Sequence, residues 1–402
     1  MFSHRHFLLA GASLGAAMIL TSGYSALSSN NSRLKAGVGR ASVELTGLYP
    51  LGDFVAEHDP LFTHVLLLEQ EGHRQSLVVN NLTSITPDVI ARIKSTLLGV
   101  TGVRAENAII NASHSFSTPH ITAPALQEAA TTAVLSAFKS VLRRAATQAL
   151  NALQPARMGQ GNGLCKIGVN RNFKTPQGWW WGANDAGFSD PQVGLISLSA
   201  LDGQPLAILI SYALQPAVTD ASQQTSGGRL VSAELAGAVV FYMVGCARDQ
   251  VPFLQASRHV VHQDGSVRRI DIHEKGFVML NVLMRKLGDE VIRITDRVNA
   301  QAEGIFRILR LNISVNAQTF FPHNAPTGPV NAPLSHQRCQ HLAGGGDAMG
   351  RHGLSWRPAR TLCPPRHAHS RTLPFFPDFC HDHGRQYGQI SFRTWQLSTL
   401  HL

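Results

Sequence analysis

Apolar runs broken by short polar turns organise the chain between residues 34 and 318. Alternating or continuous apolar residues predict strands, and apolar positions three and four residues apart predict helices. Strands are predicted at residues 35–43, 61–69, 76–82, 108–111, 193–198 and 205–214, and helices at 87–97, 124–153, 230–244 and 277–294. The order of these elements indicates an α/β fold, with a mixed β-sheet, packed helices and a single large domain.

Three segments of this pattern carry further expectations. The helix at 124–153 is rich in alanine, which indicates close packing on a sheet. Residues 159–163 contain three glycines and are predicted to form a loop. The three consecutive tryptophans 179–181 are too large to face one core together, so at least one is expected to line a surface groove; a partly buried aromatic turn is the alternative.

The segment 107–120, NAIINASHSFSTPH, changes character abruptly. A short buried strand ends there, and hydroxyl and imidazole side chains follow it at once, among them His114 and His120. In α/β proteins, side chains that follow a strand lie at the edge of the sheet where binding sites form. The segment is therefore a candidate site; a Ser/Thr-rich turn that happens to contain a histidine is the alternative.

The first residues have the pattern of an export signal. Arg5 precedes an apolar run from Phe7 to Leu20, which at 14 residues is shorter than the ~20 that a membrane-spanning helix needs. Small polar residues follow the run. We therefore predict a signal peptide at residues 1–26 and a periplasmic or secreted mature protein.

The last 81 residues, 322–402, have an unusual composition. They hold eight Arg and three Asp but no Lys and no Glu, and so supply +5 of the net charge of +10. The segment is predicted to be an anomalous tail, either disordered or an out-of-frame or fused sequence. Because the charge is concentrated there and no recognition motif is present, no nucleic-acid partner is expected. The five cysteines have neither a disulfide-framework nor a zinc-ribbon spacing.

Seven segments together resemble a known family. They are AGVGR, HDPLFTHVLLLE, NASHSFSTPH, VNRNF, YALQPAV, VSAELAG and GCARDQVP. In this order and spacing, over residues 34–310, they resemble the amidase domain of the neutral/alkaline (non-lysosomal) ceramidases. The chain resembles a divergent bacterial branch of that family. The resemblance implies an amidase-like domain at 34–318 in an exported, zinc-dependent hydrolase of sphingolipid metabolism, which cleaves the N-acyl amide bond of a lipid such as ceramide.

The resemblance also implies site residues, and the chain departs from several of them. His114 matches the first zinc-binding histidine of the family pattern S-H-T-H-S, but the second histidine is Phe116 here. Gln215 stands where the family has its next zinc-binding histidine. Val251 stands where the family has its nucleophilic serine, and valine can neither attack a carbonyl group nor bind a metal.

If hydrolysis is retained, metal-activated water is therefore expected in place of a serine nucleophile. His114 is then a zinc ligand or catalytic residue, with His120 as a second imidazole ligand. Glu234 and Asp249 are candidate catalytic bases or ligands. For Glu234 the alternative is an acid in the first turn of the predicted helix, capped by Ser232.

Three residues are expected to bind the substrate. Asn170 and Arg171 match an N-R pair of the family and suit a carbonyl or phosphate group, and Gln215 is the third. A structural brace is the alternative for the N-R pair and for Asp249.

Two functions remain open from the sequence. The first is an exported ceramidase-like amidohydrolase that acts on a lipid or related small-molecule amide, with peripheral contact to a membrane surface. The second is a catalytically inactive descendant that keeps the groove and binds a lipid or glycan. The sequence does not set the oligomeric state.

Overall fold

The computed structural model describes residues 34–119, 121, 128–175, 178–220, 224–227, 231–232, 234–247, 249–262, 264 and 266–302, and the strands 310–319, 335–345, 354–355 and 396–397. The predicted signal peptide and His120 lie outside the described residues. So does most of the predicted tail, and the domain boundaries stay a prediction. None of the helices in the described part of the chain is long and apolar enough to cross a bilayer.

The described residues form three long helices and many strands. The helices are α1 (Pro87–Thr101), α2 (Glu128–Asn151) and α3 (Gly276–Thr295). The strands are β1 (Lys35–Val43), β2 (Ala56–Glu57), β3 (Leu61–Gln70), β4 (His73–Asn80), β5 (Ala108–Ala112), β6 (Gln154–Leu164), β7 (Gly168–Thr175), β8 (Gly178–Asn184), β9 (Gln192–Ala200), β10 (Pro205–Tyr212), β11 (Thr225–Ser226), β12 (Glu234–Leu235), β13 (Ala238–Val244), β14 (Gln250–Pro252), β15 (Ser257–Val261), β16 (Val267–Asp271), β17 (Arg310–Thr319), β18 (Ser335–Gly345), β19 (Leu354–Ser355) and β20 (Gln396–Leu397).

Nine of these strands form one sheet that folds into two layers. The strand order is β12-β13-β10-β9-β6-β1-β3-β4-β5. The link between β6 and β1 is narrow, since only Lys35–Pro155 and Ala36–Gln154 pair across it. We call β1, β3, β4 and β5 the first sheet half and the other five strands the second sheet half. The two halves bury a shared apolar core between them, which includes Leu66, Phe241 and Met243.

Helices cover the two outer faces. A second core joins α1 and α2 to the first sheet half, and a third joins α3 to the second sheet half. The protein is thus a four-layer α/β structure with a large mixed sheet, and the predicted fold class is confirmed. The strands predicted at 35–43, 61–69, 76–82, 108–111, 193–198 and 205–214 and the helices predicted at 87–97 and 277–294 are also confirmed, with small shifts at their ends. So is the helix predicted at 124–153 over its described part.

Small residues bring each helix close to its sheet half. A Cβ atom at Gly37 or Gly39 of β1 would overlap a backbone carbonyl oxygen of α2, at Ala149 and Ala145 respectively. The expected close packing of the alanine-rich helix is therefore confirmed. Glycines of β6 do the same for α3: a Cβ atom at Gly161 would lie 2.6 Å from Cγ2 of Ile294.

Two sequence-based assignments are wrong. Residues 159–163, predicted as a loop, belong to β6, because alternate glycines leave room for α3 on one face of an ordinary strand. The helix predicted at 230–244 is absent; residues 234–235 and 238–244 form β12 and β13 instead. Its apolar residues are β-branched and aromatic, and they are buried where β13 pairs in parallel with β10. Glu234 therefore lies on a strand, and the helix-cap interpretation of Ser232 is wrong.

The tryptophans also lie on a strand. β7 and β8 form an antiparallel hairpin, and residues 179–181 pair with residues 172–174 within it. The predicted aromatic turn is therefore wrong. β14 pairs with the other side of β7 and ties this hairpin to the turn that carries Asp249.

Candidate functional site

The segment after β5 packs against the loops that follow β10. Its hydroxyl residues Ser113, Ser115, Ser117 and Thr118 are all buried. Ser115 donates to the carbonyl of Gly227 at 3.1 Å, and the Ser117 hydroxyl lies 2.6 Å from that of Thr219. These hydroxyl groups therefore serve as braces, and they fix the loop that carries His114.

His114 has a constrained position. Its backbone is left-handed, with a φ of 58°, which is uncommon for a residue other than glycine. Its Nδ1 lies 2.6 Å from the carbonyl oxygen of Thr83. Because a carbonyl oxygen can only accept, Nδ1 carries the proton, and in the neutral ring Nε2 carries the lone pair. The edge of the imidazole also meets the ring of Phe116 at 5.3 Å. His114 is thus oriented as a base or a metal ligand would be.

Gln215 lies on the loop after β10 and next to the His114 loop. The backbone N–H of Phe116 donates to the carbonyl of Pro216 at 3.1 Å, which joins the two loops directly. The Gln215 side chain is 2 % exposed, and its Nε2 donates to the carbonyl of Ala247 at 3.2 Å. Its Oε1 has no hydrogen-bond partner among the described residues. A buried acceptor of this kind is costly unless a water or a ligand donates to it.

Asn170, Arg171 and Asp249 form one cluster. Asn170 Nδ2 lies 2.9 Å from the carbonyl of Phe188 and 3.4 Å from Oδ2 of Asp249. The backbone N–H of Arg171 donates to the carbonyl of Asp249 at 2.8 Å, and the Arg171 side chain is buried. Burial raises the pKa of the Asp249 carboxyl, while the positive charge of Arg171 works in the opposite direction. Asp249 and Asn170 thus brace the turn before β14, and their functional roles stay predictions.

The remaining predicted residues are less informative. Val251 lies on β14 opposite Val169 and is buried, so it takes part in the strand pairing. Glu234 pairs with Val239 in the backbone ladder, and its side chain lies outside the described part. His120 does too.

These positions determine whether the site could hold a zinc ion. No group of three or more His, Cys, Asp or Glu side chains in the described residues could hold a metal ion. A catalytic zinc typically has three protein ligands. His114 alone is suitably oriented, and Gln215 is a poor replacement for an imidazole. The described residues therefore do not fit such a site, and zinc stays a prediction that depends on residues such as His120.

One residue beside the site, His64, is not among those expected from the sequence. His64 lies in the middle of β3 and is 2 % exposed, with its ring 5.8 Å from that of Phe62 and 5.7 Å from that of Phe241. It lines a small cavity beside the His114 loop. The signal was present in the sequence: one imidazole interrupts the apolar run LFTHVLLLE, where an ordinary strand would have an apolar residue.

No family model and no curated protein sequence matches the chain. Solved structures do match it. Neutral ceramidase from Pseudomonas aeruginosa aligns over 69 % of this chain and 48 % of its own, with a TM-score of 0.51 and 18 % sequence identity. A ceramidase complexed with C2 aligns over 69 % of this chain and 47 % of its own, with the same TM-score and identity.

This chain has a ceramidase-like fold. It spans about half the length of the ceramidases that it matches. At this identity the similarity concerns the fold, and it agrees with the fold that the sequence resemblance implied. Whether the chain is a bacterial branch of that family stays a prediction.

Proposed function

We propose that this protein is a ceramidase-like hydrolase that cleaves the amide bond of an N-acyl, lipid-like substrate. One observation carries the proposal: within a ceramidase-like fold, the His114 loop contacts the loop of Gln215, and Gln215 contacts Ala247, beside the turn whose Asp249 bonds to Arg171 of β7. Three segments that are far apart in the sequence therefore meet at the ends of strands from both sheet halves.

The chemistry proposed for this site uses His114 and Arg171. His114 Nε2 accepts a proton from water as the water oxygen attacks the amide carbonyl carbon. The same proton then passes to the leaving nitrogen as the C–N bond breaks, which gives a carboxylic acid and a free amine. The guanidinium of Arg171 binds the substrate carbonyl, whose oxygen becomes negative in the transition state. No step is derived through a metal ion, because the described residues do not fit one.

Two further parts of the proposal rest on the sequence. The apolar segment near the N terminus supports export to the periplasm or outside the cell. The family resemblance supports a lipid-like acyl chain and contact with a membrane surface. The Oε1 of Gln215 adds a structural reason for a polar ligand or water near the site, since it is a buried acceptor that lacks a donor among the described residues.

The test is hydrolysis of fluorogenic N-acyl amides with short and long acyl chains by the purified full chain, with and without added zinc. We expect His114→Ala to lose about 10²-fold or more of the rate, the usual contribution of a positioned general base. His259→Ala is the matched control, because His259 is an exposed histidine on β15 and should keep wild-type activity.

Two results would contradict the proposal. If His114→Ala hydrolyses the amides as fast as the wild type, His114 is not the base. If the folded wild type binds the N-acyl compounds but releases no amine, with or without zinc, the chain is the inactive binding protein that the sequence left open.

A further inference from the structure

A cavity of about 20 Å³ lies between the two sheet halves, directly behind the His114 loop. The first sheet half and its loops supply one wall, and the second sheet half and its loops supply the other. Its lining residues are His64, Val79, Asn81, Ser113, Ser115, Pro216, Val231, Ser232, Val240 and Tyr242. The cavity thus touches both residues that flank His114 and the residue that follows Gln215.

The cavity has the size and the polarity to hold one water molecule. A single water needs a cavity of about 10–15 Å³ and two to four polar partners. Here the imidazole of His64 and the hydroxyls of Ser113 and Ser115 are buried groups that line the same space. The bond from Asn81 Nδ2 to the Ser113 hydroxyl is long, at 3.4 Å, so Ser113 gains most from a better partner.

We propose that His64 is a positioning residue of this site, which holds one buried water against the Ser113 hydroxyl and thereby fixes His114. The loop is held from outside by the bonds of His114 to Leu82 and Thr83. The water supports it from inside, next to the left-handed residue. When this support is lost, the His114 ring leaves Thr83 for part of the time, and Nδ1 is no longer the fixed protonated nitrogen.

The decisive variant is His64→Phe. Phenylalanine keeps an aromatic ring between Phe62 and Phe241 but removes both ring nitrogens and makes the cavity apolar. His259→Phe is the control, because it makes the same change at an exposed position of β15. Ser113→Ala is the second variant, because it removes the Ser113 hydroxyl that the water bonds to with little change in volume and keeps the proposal testable if His64→Phe fails to fold.

The first measurement is the long-range ¹H–¹⁵N NMR spectrum of protein labelled with ¹⁵N-histidine. Wild type and His259→Phe should show His114 as a single tautomer with the proton on Nδ1. His64→Phe and Ser113→Ala should show averaged nitrogen shifts for His114. If both variants fold and keep the wild-type His114 signals, the proposal is wrong.

The second measurement is amide hydrolysis, and this catalytic consequence rests on the proposed function. We expect kcat to fall about tenfold in His64→Phe with KM little changed, because a misplaced base slows the chemical step. His64→Gln, which keeps a polar group toward the water, should recover part of the rate. An inactive wild type whose His114 tautomer still depends on His64 would refute the proposed hydrolysis and support the positioning role. If the wild type is active but kcat and the His114 tautomer are unchanged in His64→Phe, the proposed hydrolysis is supported and the positioning role of His64 is refuted.

Discussion

The close contact of β1 with α2 gives a sharp stability prediction for Gly39→Ala. The new Cβ would lie 2.8 Å from the carbonyl carbon of Ala145 and 2.9 Å from the nitrogen of Ala149, and it would overlap the Ala145 carbonyl oxygen. An ordinary contact needs at least 3.4 Å, so relief of the overlap with the Ala145 carbonyl oxygen requires α2 to move outward by more than an ångström. The obstructing atoms are backbone atoms of a helix, which cannot rotate away as a side chain can.

Overpacking of this kind costs about 1–3 kcal/mol, and a rigid neighbour favours the upper value. The intrinsic gain of alanine over glycine within a strand, about 0.5–1 kcal/mol, offsets only part of it. We therefore expect Gly39→Ala to lower the free energy of unfolding by about 2 kcal/mol. With an m-value of about 2–3 kcal/mol/M, the urea midpoint falls by just under 1 M.

Gly99→Ala is the matched control for this measurement. Gly99 lies on the exposed face of α1, and no atom lies within 4 Å of the position of a new Cβ. Alanine should therefore stabilise the protein by about 0.5–1 kcal/mol. Urea unfolding followed by circular dichroism should move the two midpoints in opposite directions. A Gly39→Ala midpoint equal to or above that of the wild type would refute the argument from close packing.

Two further predictions concern the candidate site. Burial raises the pKa of Asp249, so the folded state binds the carboxyl proton more tightly than the unfolded state does. The protonated carboxyl therefore contributes to the free energy of unfolding below the unfolded pKa, and this contribution is lost as the pH rises through the folded pKa. As the pH rises from about 4, Asp249→Asn should therefore lose less stability than the wild type. Urea unfolding across a pH series measures this, and plots of the free energy of unfolding against pH that run parallel for the two proteins would contradict it. Gln215→His should increase zinc binding, because it adds an imidazole next to the loop that His114 occupies; mass spectrometry of metal content and calorimetric titration of both proteins test it, and equal affinities would count against a shared metal position.

The fold class could be predicted from the sequence because most elements have a clear period. The strands at 61–69 and 205–214 are nearly continuous apolar runs, and most of their residues are buried. Apolar runs this short favour a buried strand over a helix. The two errors share a cause. Glycines predicted a loop in β6 and a local helix-start signal predicted a helix across β13, whereas the packing of α3 and the pairing with β10 determine the structure there.

The candidate site could be predicted only in part. His114 could be predicted because polar residues follow a strand abruptly. The contact between its loop and the Gln215 loop brings together two of the motifs that resemble the ceramidases. His64 was missed because its neighbours on β3 describe a core strand, and nothing local shows that a cavity lies across from it. A contact between the two sheet halves cannot be inferred from either half alone.

The division of the sheet has a consequence for how the protein acquires its site. The first sheet half with α1 and α2 comes from residues 34–153, and the second sheet half with α3 comes from residues 154–302. Each half is contiguous in the chain, and only two residue pairs join them edge to edge. His114 and His64 come from the first of these two segments of the chain, while Gln215, Arg171 and Asp249 come from the second, Arg171 and Asp249 on the separate β14-β7-β8 sheet. Either segment alone therefore carries an incomplete set of the candidate groups, and the set is complete only when the two segments pack against each other.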